Sequence, residues 1–154
     1  VMMGMPQYPI EFLMTPGRVT ILFEAWAQTR VIFTDGRPHP DDWDGGIYGH
    51  STGHWEGDTL VIDTVGIKTI TDISMGARHS EKLHISERIH LAPGKPDVLL
   101  AEMTIEDPEA LERPLHQLNV YNRQRDWNLQ EFICAENDRN PVGADGQTGF
   151  EVTK

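Results

Sequence analysis

Residues 82–91, KLHISERIHL, alternate apolar and polar along almost their whole length. Side chains on a strand point to opposite faces in turn. Leu83, Ile85, Ile89 and Leu91 therefore share one face, and His84, Ser86, Arg88 and His90 the other. A helix would scatter both sets. This two-residue period recurs, and no long helical period competes with it. RVTILFEAW (18–26), preceded by Pro16-Gly17, and TRVIFTDG (29–36), ending on Asp35-Gly36, read as strands. RPHPDDWDGG (37–46) reads as a loop. STGHWEGDTLVIDTVGI (51–67) reads as a hairpin turning on Glu56-Gly57-Asp58. KTITDISMGARHS (68–80) reads as a long loop or lid, and PGKPD (93–97) as a break. VLLAEMTIED (98–107), LHQLNVYNRQ (115–124) and LQEFICAEN (129–137) are further strand candidates. DPEALERP (107–114) is the one helical competitor, worth a turn or two with Asp107 as cap and Pro108 at the first position. The tail over 139–154 is turn-rich and reads as loose.

Many short strands with frequent turns predict an all-β chain of one domain over 1–154. Sequential strands tend to be neighbours. The expected architecture is a single antiparallel meander barrel, lipocalin- or calycin-like, with a mixed polar and apolar interior. The chain has 154 residues, enough for one sizeable core. Its 24 acids against 13 bases give a formal charge of −11, which opposes nucleic acid and anionic membrane surfaces as partners. No apolar run is long enough to span a bilayer. VMMGMPQYP carries no leader signature and reads as a cropped or processed start.

The densest chemistry lies in GHSTGHWEGDTLVID (49–63). His50 and His54 are four apart, about 13 Å on a strand, too far to share one zinc with ligand bonds of about 2 Å. His79 and His84, five apart, would face opposite ways. No local pair is expected to hold a metal, so a metal site would have to be assembled across strands, for instance from His50, His79 and one carboxylate. Acid–base chemistry depends on the hairpin register. A two-residue loop at Glu56-Gly57 places His50 opposite Asp63, close enough for the carboxylate to orient the imidazole and raise its pKa. A three-residue loop with Gly57 left-handed places Ile62 opposite His50 and turns Asp63 to the other face. The plain alternative is a satisfied polar pair at a hairpin base.

Strict alternation puts Glu87 on the apolar face and Arg88 with His84, and one of the two charges should point inward. An inward charge must be paired. Arg88 could hold a carboxylate or phenolate, or pair with Asp63 or Glu102 in a structural salt bridge. Trp26, Trp43, Trp55 and Trp127 can be core or pocket wall. Arg37 and His39 fall on an exposed loop that could form a rim. No GxSxG, P-loop, GxGxxG or HExxH motif is present. Ser51 and Ser80 each follow a histidine, and adjacent strand residues point apart, so neither is an activated nucleophile. Cys134, the only cysteine, reads as buried or disulfide-linked to a partner upstream of Val1.

FTDGRPHP (33–40), GHSTGHWEGDTLVIDTVG (49–66), RHSEKLHISERI (78–89), MTIEDPEAL (103–111) and LQEFICAENDRNP (129–141) occur in an order that resembles an uncharacterised family of bacterial secreted proteins. That family is marked by a GHSxGxWEGDTLVxDT stretch followed by HSExLHxxER, and the resemblance covers nearly the whole chain. It implies a periplasmic or extracellular setting. Its members tend to carry an extra N-terminal segment with a cysteine, which implies a partner for Cys134. Many members have an aromatic residue after Pro114, where this chain has Leu115.

Three readings follow. The first is a cofactor-independent lyase, isomerase or hydrolase acting on an aromatic or cyclic small molecule. His50 is its acid–base residue, His79 or Asp63 assists, and Arg88 holds an anionic or phenolic group. Trp55, His84, Trp26 and Leu115 would contact the substrate. The second is a secreted module that binds a small-molecule ligand without turnover. The third is a metal-dependent version of the first. Several clustered ionisable groups favour the first, because a binder of apolar ligands has little use for them.

Overall fold

A computed structural model describes residues 8–73 and 77–132 of the chain. It is an all-β structure of eight strands: β1 (Ile10–Thr15), β2 (Arg18–Phe23), β3 (Gln28–Phe33), β4 (His50–Glu56), β5 (Thr59–Val65), β6 (His84–Ala92), β7 (Lys95–Glu106) and β8 (Leu115–Asn122). They form one sheet in chain order, curled into a half-barrel, with β1 and β8 at the two ends of the order. The all-β, barrel-like expectation holds.

The uniform antiparallel meander does not hold at one junction. β3 and β4 pair parallel, over Ile32↔Ser51 and Phe33↔Thr52. Parallel neighbours need a crossover rather than a tight turn. Residues 34–49 supply it, and the loop read at 37–46 is that crossover. It carries its side chains back across the sheet, and this positions the site.

The strand assignments otherwise fall where the alternation placed them, with small shifts. The 18–26 segment stops at Phe23 and passes into a 3₁₀ turn over Ala25–Ala27, with Trp26 at φ 57°. The break at 93–97 narrows to a turn at Pro93-Gly94, and β7 starts at Lys95. No helix forms at 107–114. Asp107 instead accepts hydrogen bonds from the backbone N–H groups of Glu109 (3.0 Å) and Ala110 (3.1 Å), closing turns. β1 was not expected. Its run Phe12-Leu13-Met14 hides the strand period, and Pro16-Gly17 proves to be the turn joining it to β2. Residues 129–132 form no strand. The rest of the candidate at 129–137, with Cys134, and the tail over 139–154 lie outside the described residues.

One face of the sheet is the core. Val19, Ile21, Ile32, Leu60, Ile62, Ile85, Ile89, Ala101, Met103 and Ile105 are all buried there. The registers place Arg30, Ser51, Thr64 and Glu87 on this same face. The Arg30 guanidinium donates to Glu87 Oε1 (3.1 Å) and to its other oxygen, to Ser51 Oγ (3.2 Å) and to Thr64 Oγ1 (3.0 Å). Arg30 and Glu87 are each 1% exposed. Burying two charges is tolerable only because each is paired and hydrogen-bonded. Glu87 is thus the inward charge of the SERI stretch.

Candidate functional site

The opposite face of β4–β8 is polar. Reading across the registers, Thr52, Asp63, Ser86, Thr104 and His116 form one row, and His54, Val61, Arg88, Glu102 and Leu118 the next. His84 and Glu106 stand opposite one another at the end of β6 and β7.

The register at the hairpin is set by Gly57-Asp58, which forms the two-residue loop between Glu56 and Thr59. Gly57 takes φ 60° while Asp58 keeps a negative φ. That is the pattern of a turn with glycine first, and it frees Glu56 from a left-handed conformation. Neither expected register is therefore adopted. His50 lies opposite Val65, and Asp63 lies opposite Thr52, on the face of His50 but offset along the strands.

The gap between them is filled by His39, brought in by the crossover. His39 Nε2 lies 2.9 Å from Asp63 Oδ2 and 3.3 Å from Thr52 Oγ1, and its Nδ1 lies 2.8 Å from Nδ1 of His50. The other oxygen of Asp63 is hydrogen-bonded to His84 Nε2, and His84 Nδ1 lies 3.4 Å from Glu106 Oε2. Five side chains form one line: His50, His39, Asp63, His84, Glu106. Pro38 and Pro40 flank His39 and restrict the backbone that presents it.

Aromatic residues enclose the His50 end. The Phe33 ring stacks on His50 with centroids 5.3 Å apart, and the Trp43 ring meets it edge-on at 5.3 Å. Gly66, at φ 66°, permits this, since a Cβ there would overlap Trp43 Cδ1. The Arg37 guanidinium lies over Phe33, 4.0 Å from its centroid.

The electrostatics differ along the line. Burial comes first in holding the His50 pKa below the ordinary histidine value, and the repulsion that a proton on His39 would exert and the Arg37 guanidinium add to it. Burial pushes the Asp63 carboxyl up, but its hydrogen bonds with His84 and His39 outweigh this and hold it below the usual range. Burial pushes His84 down, and the hydrogen bonds to Asp63 and Glu106 reverse that and leave it raised. Asp63 is thus ionised and only accepts. His39 Nε2 must then donate to it. In neutral His39, Nδ1 accepts, so Nδ1 of His50 is the donor and Nε2 of His50 carries the lone pair. Among the described residues Nε2 has no hydrogen-bond partner. No buried side-chain nitrogen or oxygen there lacks one. The remaining 7% exposure of His50 must therefore include Nε2, which opens to solvent.

The other expected site residues are placed differently. His79 is buried in its own loop, with Nδ1 2.8 Å from the Ser80 carbonyl and Nε2 3.1 Å from Thr71 Oγ1. It takes no part in the line, and the set of His50, His79 and one carboxylate is not assembled. Among the described residues no group of three or more His, Cys, Asp or Glu side chains is arranged to hold a metal ion. Arg88 points away from the core and donates to Glu56 Oε2 (2.9 Å), bracing the hairpin rather than binding Asp63 or Glu102. Trp55 pairs with Leu60 at the hairpin end. Trp26 sits in the turn after β2, 5.8 Å from Phe132. Leu115 pairs with Ile105 on the core face of β8. None of these three touches the line, whereas His84 belongs to it. His39 and Phe33 were not singled out as central. The one signal for His39 was its place between two prolines. A concavity of about 540 Å³ lies on the polar face over Val61, Ser86, Arg88, Thr104, His116 and Leu118, beside the line.

Comparison with protein-family models, with curated proteins and with solved structures finds no match to this chain.

Proposed function

We propose that this protein is an acid–base enzyme of the lyase, isomerase or hydrolase type, needing no cofactor, that acts on a small aromatic or cyclic molecule. The observation that carries this reading is the line of hydrogen bonds from Asp63 through His39 to the open Nε2 of His50. Nε2 of His50 takes a proton from the substrate. The proton on Nδ1 of His50 then passes to Nδ1 of His39, leaving an imidazolium that donates to the Asp63 carboxylate. His84 holds Asp63 from the other side and keeps it ionised. A neutral imidazole oriented through a second ring by an ionised carboxylate is how a fold takes up a proton near neutral pH. A periplasmic or extracellular location is part of the proposal and rests on the motif resemblance alone.

A binding module without turnover is the second reading. It is favoured by the fact that both nitrogens of His39 and of His84 are already engaged, which also ties the crossover to β5 and β6. A screen of small aromatic and cyclic compounds, read by thermal shift and product formation in parallel, separates the two. Conversion that falls about 10²–10⁴-fold in His50→Ala supports the enzyme. Compounds that bind without conversion, equally well to His50→Ala, support the module.

A further inference from the structure

The surroundings of His50 Nε2 carry information about what approaches it. The sequence singled out Arg88 to hold an anion, but its guanidinium is engaged by Glu56. Arg37 stands beside the His50 end instead. Its Nε donates to Asp35 Oδ1 (2.9 Å) and Oδ2 (3.0 Å), and its Nη2 also donates to Asp35. Phe33 packs against its plane. These contacts fix the guanidinium, yet among the described residues Nη1 has no partner, and the side chain is 48% exposed. A donor group held in place before the ligand arrives loses little entropy on binding.

Arg18 also approaches the Phe33 ring, at 5.7 Å, and forms no ion pair among the described residues. Arg18 and Arg37 bring two cations to Phe33, beside a loop that also carries Asp35, Asp41, Asp42 and Asp44. Trp43 supplies the third feature. Its indole is fixed against His50 and over Gly66, yet it stays 45% exposed. A large apolar ring held rigid and left open is a stacking surface.

We infer that the ligand of this site is a planar ring bearing a carboxylate or phenolate, with the anion on Arg37 and the ring against Trp43, beside Nε2 of His50. This rests on the acid–base reading for the identity of the reacting nitrogen, but the binding claim can fail or stand without it. A neutral ring would leave the Nη1 donor unused. A flexible anion would leave the indole uncovered.

Binding of benzoate and 4-hydroxybenzoate, compared with benzamide, tests this by calorimetry and by the ¹⁵N shifts of the Trp43 indole and the His50 ring. The expected result is that both anions bind about 10-fold or more tightly than benzamide and shift both signals. Arg37→Gln should remove that preference without changing benzamide binding, and Arg37→Lys should restore part of it. Arg125→Gln, which loses an exposed pair with Asp97 elsewhere, should bind as the parent does. Benzamide binding as tightly as benzoate, no binding of benzoate at millimolar concentration, or an unchanged preference in Arg37→Gln would each overturn the inference. Selective binding of the anions with no conversion of any ring anion would support it while retiring the acid–base reading. Conversion of neutral rings, lost in His50→Ala and unaffected in Arg37→Gln, would do the reverse.

Discussion

His50 contributes a lone pair, and His39 and Asp63 decide on which nitrogen it sits. Asp63→Asn changes that choice, because an amide can donate as well as accept. Turnover should fall in Asp63→Asn, but less than in His50→Ala, since the base itself remains. Steady-state rates of the two variants on one substrate check the order. The pH profile follows from the shifts. His50 is depressed below the ordinary value of about 6.5, so it stays basic down into mildly acidic pH and fails only as Nε2 takes a proton. His84 is raised above that value, so the line loses its charged donor only as pH rises through the raised value. The rate should follow a bell, and His84→Gln should lose its alkaline limb while keeping the acid one. Stability has a matching sign. A raised histidine pKa stabilises the fold fully below about 6.5, and the effect is lost as pH rises through the folded value. The penalty of His84→Gln in urea unfolding should therefore be largest below about pH 6.5 and fade as pH rises through the raised folded value.

At the level of elements, the site depends on a crossover loop pinned by the isolated bridge Gly46↔Ile67 just beyond β5. The strands were legible because alternation is local. In KLHISERIHL every residue from Leu83 to Ile89 lies on the face its parity assigned. The hairpin register was not legible to one residue. GHSTGHWEGDTLVID allows several loops, and glycine could enter first or last in the turn. With Gly57 first, Asp63 shares a face with His50 without facing it, and the space between them admits a third ring. The two prolines of FTDGRPHP mark His39 without saying that it is the third ring, because the parallel pairing of β3 with β4 is a long-range event. Gly66 tests the loop's role. Gly66→Ala places a methyl where Trp43 lies and forces a side chain to φ 66°. It should displace Trp43 from His50, cut turnover by about 10-fold or more, and leave the sheet intact. Circular dichroism together with the Trp43 indole resonance would show whether the lesion is that local.

Across the whole molecule, one face of the sheet holds the fold and the other carries the proposed site. The fold face carries a buried charge pair joining β3 to β6, and Ser51 and Thr64 satisfy the remaining donors of Arg30. Alternation around Glu87 showed which charge turned inward, but its partner was hidden, because Arg30 lies far away in sequence and pairs only once the sheet curls. Glu87→Gln should destabilise the chain by about 3–5 kcal/mol, because it leaves a buried guanidinium uncompensated. Arg30→Met with Glu87→Leu together should cost less than that single change, as urea midpoints would show. Neither needs to alter the polar face directly, so losses of stability and of activity should separate by face. On the proposed reading the polar face leaves the lone pair of His50 on Nε2. Long-range ¹H–¹⁵N correlation of the imidazole rings near neutral pH measures it most directly. His50 is expected as the neutral tautomer with hydrogen on Nδ1 and a bare Nε2, coupled to His39 across the Nδ1 hydrogen bond. A proton on Nε2 of His50 under those conditions would contradict it.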